Sequence, residues 1–272
     1  ASLGNDVLRL ELKDFDYSAI AGAFAEFDVS LEDLDVVAAA VFDHGAAPPN
    51  YSDRQFRFDY IEDRVQVNRQ LSSFAFLQDD IPAIMTRMQA VAVSASDVSA
   101  PLVLMDTAPA AVLGAMQDAR IREAGRFTLV NVGNFHTIAF RMGTGGIDGV
   151  FEHHTGLLDT EKLDGLVRAM AAGILRHEDV FADSGHGALI LSPDALPLAV
   201  GTFGVAVTGP RRGMMVESSL RPYFATPFGD MMMAGCYGLL KAVGDVLPEY
   251  REEIEAAMVQ GREKPPWEDD GA

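Results

Sequence analysis

The segment Asn131-Val-Gly-Asn-Phe-His-Thr137 combines residue types that can hold an anion. Gly133 allows the backbone to approach a ligand closely, so that successive N–H groups of a tight turn point at one set of oxygens. Asn134, His136 and Thr137 add side-chain donors. A nucleotide phosphate suits this pattern, and an ordinary glycine hairpin uses the same residues.

Three aspartates, Asp43, Asp106 and Asp230, stand where strands end or helices begin. There a carboxylate can hold a magnesium–nucleotide complex or act as a general base, although its commoner use is capping a helix. Asp43 and Asp106 are the catalytic candidates, and Asp43 and Asp230 the candidate metal ligands. The histidines offer a second chemistry. Asp43-His44, Glu152-His153-His154 and Asp183-Ser-Gly-His186 each set imidazole beside a carboxylate. Converging, these loops would supply nitrogen and oxygen ligands for zinc, iron or manganese, but none has the i, i+4 spacing of a helical metal motif. Arg211 and Arg212, with Arg221 nearby, form a basic group suited either to phosphate or to ion pairs with the chain's many acids.

Composition excludes other classes of function. A net charge of −19 repels nucleic-acid backbones. The longest apolar run, Val36 to Phe42, falls far short of the roughly 18–20 residues that span a bilayer, and the opening ASLGND has no secretory pattern. The expectation is a soluble, cytoplasmic protein. With one cysteine, Cys236, the chain has neither an internal disulfide nor an all-cysteine metal cluster.

The elements that must position these groups alternate between strand and helix. Ser30-Leu-Glu-Asp can cap a short turn, and residues 35–42 read as a buried strand ending at Asp43-His44-Gly45. Residues 46–60 read as a surface loop with an edge strand at Phe56 to Tyr60. Leu102 to Met105 is a short strand, and Asp106 then opens an alanine-rich helix. Phe127 onward gives a strand, the turn Asn131 to His136 and a hairpin partner from Thr137, with a third strand at Ile147 to Phe151. Leu163, Leu166, Val167, Met170 and Ile174 share a helical face capped by Asp159 or Thr160. Strands at 188–191 and 204–208 follow, then a helix from Thr226-Pro227 to about Val246, with Met231, Met232, Met233, Leu239 and Leu240 as core. The end, REKPPWEDDGA, is a polar tail.

Several of these segments, in this order, resemble the nucleotide-binding core shared by actin, sugar kinases and heat-shock chaperone ATPases. Pro109 to Met116 is similar to the helix connecting the two lobes, and Val130 to Thr137 to the second phosphate-binding turn. Val205 to Arg212 is similar to the strand and glycine turn that pack on adenosine, and Gly229 to Val243 to the second connecting helix. Across nearly the whole chain, DHGAAPP, DTAPAAVLGA, VNVGNFHT, FEHHTGLL, GHGALIL, VTGPRR and SLRPYFATPFGDMM resemble an uncharacterised family labelled pyruvate formate-lyase activating enzyme-like. The resemblance implies an α/β, actin-like ATPase (ribonuclease H-like) two-lobed fold with its first lobe incomplete. Residues 1–108 would be the remainder of that lobe. Residues 109–246 would form the connecting helix, the second lobe and the returning helix, and residues 247–272 a C-terminal helix and the tail.

Members of the family begin with a further glycine-rich phosphate loop, so the chain reads as an N-terminally truncated copy. ATP and magnesium are the cofactors implied, with Gly133, Asn134, His136, Thr137, Gly209 and Arg211 at the nucleotide. The protein would be a phosphotransferase or an ATP-driven switch; a metal-dependent enzyme on the histidine loops and a non-catalytic scaffold are the alternatives. Asn131 replaces the superfamily's usual acid, which weakens the case for fast hydrolysis, and Pro210 replaces its second glycine, whose fixed φ and missing N–H change how closely the chain can approach a base. A radical activating enzyme is excluded, because its iron–sulfur cluster needs several cysteines.

Overall fold

The computed structural model describes residue 8, residues 12–198 and residues 204–260. The opening ASLGND and the tail from residue 262 therefore lie outside the described residues. The chain begins with α1 (Tyr17–Ala25), β1 (Val37–Ala40), α2 (Asp53–Val67), β2 (Ala75–Leu77), α3 (Thr86–Ser94) and β3 (Leu102–Met105). Next come α4 (Thr107–Ala115), α5 (Ala119–Glu123), β4 (Phe127–Val132), β5 (His136–Gly143) and β6 (Gly146–His154). The remaining elements are α6 (Thr160–Ala171), α7 (His177–Phe181), β7 (Gly187–Ile190), β8 (Val205–Thr208), β9 (Tyr223–Phe224), α8 (Ala234–Val246) and α9 (Arg251–Gln260). They build a mixed α/β protein with a three-stranded sheet, β1-β3-β2, and a six-stranded sheet, β7-β6-β5-β4-β8-β9.

The larger sheet starts as a meander, because short turns join β4, β5 and β6 and allow only antiparallel pairing. After the long crossover through α6 and α7, β8 returns parallel to β4, and β9 lies parallel to β8. Alternation along the strands sends side chains to two cores. Leu129, Ile138, Phe140 and Val150 face the small sheet and helices α4 and α8. Val130, Ala139, Phe151 and Val207 face the other way, against Leu163, Val167 and Met170 of α6. Buried Arg141 lies on this second side and donates to Met170 and Ala171 carbonyls at the end of α6, where the helix dipole favours a cation.

Helices α4 and α8 cross with almost no gap. A Cβ placed on Gly114 would overlap the Ala234 carbonyl, and one on Gly238 would overlap the Ala110 carbonyl. Only glycine permits backbones to meet at this distance. Asp106 caps α4 by accepting from Ala108 N–H at 3.2 Å, and Asp159 caps α6 by accepting from Lys162 N–H at 2.8 Å. Ser30 accepts from Glu32 N–H, forming the expected short turn.

Several expectations are corrected. Residues 53–67 are the helix α2, not a loop and edge strand. The alternating Phe-Arg-Phe-Asp-Tyr suggested a period of two, yet Ser52 accepts from Gln55 N–H as an N-cap, and Arg57, Phe58, Ile61 and Val65 are buried along one helical face. The helix from Thr226 is interrupted: Pro227–Gly229 forms a short 3-10 turn in which Phe228 has φ of 53°, and α8 begins only at Ala234. Met232, Met233 and Leu240 are exposed rather than core, and Ile174 lies beyond α6 and is also exposed. Among the described residues no helix is long and apolar enough to cross a membrane.

Candidate functional site

The face of the large sheet that looks toward α4 and the small sheet carries an unusual set of polar side chains. Cross-strand pairing puts His136 opposite His154 and Ile138 opposite Glu152, so His136, Glu152 and His154 share this face. His44 enters from the segment after β1. His186 enters just before β7, where its N–H donates to the Glu152 carbonyl at 2.9 Å.

Under these rings lies a charged group that never reaches water. The Arg57 guanidinium stands 2.7 Å from Asp106 and 3.2 Å from Glu152, and it donates to the Asp43 carbonyl at 3.0 Å. Arg57, Asp106 and Glu152 are each at most 2% exposed. Burial would raise the Glu152 carboxyl, but Arg57 more than offsets it and holds the group down at about 2. For Asp106 burial prevails, and the carboxyl lies above its usual range despite Arg57.

The imidazoles of His44, His136 and His186 meet above this group, with one ligand atom from each lying within 4.8 Å of the others. His154 joins the edge, its ring 4.9 Å from His136 and 4.6 Å from His186. Burial pushes His136 down to about 4 and His186 down to about 3, so both rings are neutral at pH 7. His153 points to the opposite side, where its Nε2 meets the Asp183 carbonyl at 3.1 Å.

Beside this cluster a cavity of about 490 Å³ is walled by the 133–135 turn, the 208–210 turn and the start of α4, with Phe42 and His136 also lining it. Its two charged lining residues, among those described, are Arg87 and Arg212. Asn131 is 7% exposed, lines the cavity and has no side-chain hydrogen bond among the described residues. Gly209 has φ of 101° and sits so close to Val132 that a Cβ would lie 2.5 Å from its carbonyl oxygen.

Residues 2–214 match the family described as "Putative pyruvate format-lyase activating enzyme (DUF1786)". The chain belongs to this DUF1786 family. No curated protein and no solved structure matches it. The chemistry named in the family's description does not fit these residues: the single cysteine, Cys236, is exposed on α8, and a cysteine-ligated iron–sulfur cluster needs several thiolates.

In this DUF1786 chain the residues singled out from sequence fall into separate groups. Gly133, Asn134, His136 and Gly209 line the cavity. The Gly133 N–H is engaged within the hairpin by the His136 carbonyl, whereas the N–H groups of Asn134 and Phe135 have no partner among the described residues. Thr137 turns inward and shares a hydrogen bond of 2.9 Å with Thr155. Arg211 is exposed and outside the cavity lining; Arg212 lines it and donates to the Gly209 carbonyl. The Asp43 carboxylate accepts from Gly45, Arg87 and Met88 N–H groups, capping α3, and Asp106 serves Arg57 and α4. Asp230 is exposed and accepts from Met232 N–H. Arg57 and Arg87 were not legible as site residues. For Arg57 the usable signal was Ser52 as a cap with Arg57, Ile61 and Val65 at helical spacing.

Proposed function

We propose that the protein is a nucleotide binder of the actin-like superfamily that holds a nucleoside polyphosphate, with ATP as the test ligand, in the cavity beside Asn131. One observation carries this reading: the two turns that resemble phosphate and adenosine contacts wall a single cavity that two arginines, Arg87 and Arg212, also line in a chain of net charge −19. The phosphate end would be met by Arg212, the Asn131 amide and the free N–H groups of Asn134 and Phe135.

The strand order supports the same reading. An antiparallel meander, β6-β5-β4, extended by parallel β8 and β9 is compatible with the ribonuclease H-like lobe that the resemblance implies. The closely packed pair α4 and α8 would be the two connecting helices that the resemblance implies. The proposal is one of binding. Asp43 and Asp106 are engaged by backbone N–H groups and Arg57, so neither carboxylate is free for magnesium or water.

Calorimetric titration with magnesium–ATP tests this. Asn131→Ala and Arg212→Ala should each weaken binding about 10-fold or more, since a hydrogen bond to a charged group contributes about 1.5–3 kcal/mol. Absence of saturable binding to the unaltered protein, or affinity in both variants unchanged from that of the unaltered protein, would overturn the reading.

A further inference from the structure

We infer that His44, His136 and His186 form a binding site for a divalent transition-metal ion of the zinc type. The inference does not depend on the nucleotide reading. It starts from orphaned atoms. Among the described residues, His44 Nε2, His136 Nε2 and both ring nitrogens of His186 are buried without a hydrogen-bond partner. A buried polar atom left unpaired costs about 1–3 kcal/mol, and native structures rarely gather several in one place. One shared metal ion would engage a nitrogen on each of the three rings, pairing three of these four atoms.

The chemistry of the donors selects the ligand. Neutral imidazole offers a lone pair that zinc, iron, nickel and copper accept, whereas magnesium and calcium prefer oxygen. The surroundings also admit a cation. Arg57, the cation beneath the rings, is shared between the carboxyl groups of Asp106 and Glu152, so its positive charge is offset there by the Glu152 carboxylate. Glu152 lies in the same strand as His154, two residues away, so this charge sits close to the cluster.

Geometry permits closure. A tetrahedral ion with metal–nitrogen bonds of about 2.0–2.1 Å brings its ligand atoms to roughly 3.4 Å from one another. The present limit of 4.8 Å needs ring movements of about an ångström to reach that spacing. Three protein ligands leave the fourth position open, the pattern of sites that act on a ligand rather than only brace a fold. His136 lines both the cluster and the cavity, so the open position adjoins the space where a polar ligand would sit. The fourth histidine of the group, His154, stands at the rim and is not required.

The experiment uses the chain after chelator treatment and exhaustive dialysis, titrated by calorimetry with zinc chloride alone. One equivalent should bind with a dissociation constant below about 1 µM, a range that three-ligand sites readily reach. His44→Ala and His136→Ala, whose side chains are only partly buried, should each weaken binding by at least about 100-fold, the upper end of what even outer-sphere changes produce. His186→Ala should do the same, and circular dichroism shows whether that fully buried position still folds. His177→Ala, whose ring faces Gln55 instead, should bind zinc as the unaltered chain does. No saturable zinc binding, binding undiminished in the His44 and His136 variants, or an equal loss in His177→Ala would each overturn the inference.

Discussion

Arg57 Nε lies 3.2 Å from Glu152 Oε2, and the pair joins helix α2 to strand β6 with neither side chain more than 1% exposed. These residues are 95 positions apart in sequence, so the contact fixes the first part of the chain against the large sheet. The desolvation of such a pair is offset only while both partners are present. Glu152→Ala leaves Arg57 with Asp106 alone, and Arg57→Ala leaves two buried carboxylates facing each other. Each should lose about 3–5 kcal/mol in urea denaturation, with Arg57→Ala the more severe. A loss under 1 kcal/mol would mean that water reaches the group.

The crossing of α4 and α8 makes a contrasting pair of glycine predictions. Gly114→Ala drives a methyl group into the Ala234 backbone, where no flexible side chain can yield. It should destabilise by about 3 kcal/mol, at the upper end of ordinary overpacking. Gly165 is on the exposed side of α6 with nothing near the position of a Cβ. Gly165→Ala should stabilise by about 0.5–1 kcal/mol through helix propensity alone. Urea titrations of the two variants give opposite shifts of midpoint if the helix contact is as close as described.

Local signals carried much of the fold into the sequence. The strands β3, β4 and β5, the caps Asp106 and Asp159, and the buried face of α6 all follow from patterns spanning fewer than about twenty residues. The segment 53–67 did not, because its alternating aromatic residues imitate a strand and the Ser52 cap decides against it. The candidate site was legible only in pieces. Its histidines come from β1's end, the β4–β5 hairpin and the approach to β7, and only the register that sets His136 opposite His154 shows that they meet. In sequence His136 belonged to an anion turn, and nothing local joined it to His44 or His186.

Thr137 separates the sequence expectation from the structural one. As part of an anion-binding turn, its hydroxyl would contact phosphate, and removing it would reduce nucleotide affinity. In the structure that hydroxyl is fully buried and paired with Thr155, away from the cavity. Thr137→Val should therefore cost about 1–2 kcal/mol of stability, leaving the Thr155 hydroxyl unpaired, and should not change the dissociation constant for magnesium–ATP. Denaturation and calorimetry on the same preparation distinguish the two roles.

Asp14 sets how much of Arg87 is available to the cavity. Two hydrogen bonds, of 2.6 and 2.8 Å, tie the Arg87 guanidinium to this carboxylate, and the Arg87 side chain also donates to the Phe42 carbonyl at the cavity wall. The pairing holds the Asp14 carboxyl below its usual range, so it remains ionised through neutral pH. An anion entering the cavity then competes with Asp14 for the same donors. Asp14→Asn removes the competing charge while keeping a side chain of the same shape. Both groups are about half exposed, so the effect is modest and screened by salt. Affinity for inorganic pyrophosphate should rise about 2- to 5-fold at low ionic strength, and the gain should shrink in about 0.5 M salt. In Asp14→Asn/Arg87→Ala the gain should disappear, because the carboxylate acts only by withholding that arginine. An equal gain in the double variant would assign the effect to the chain's net charge instead.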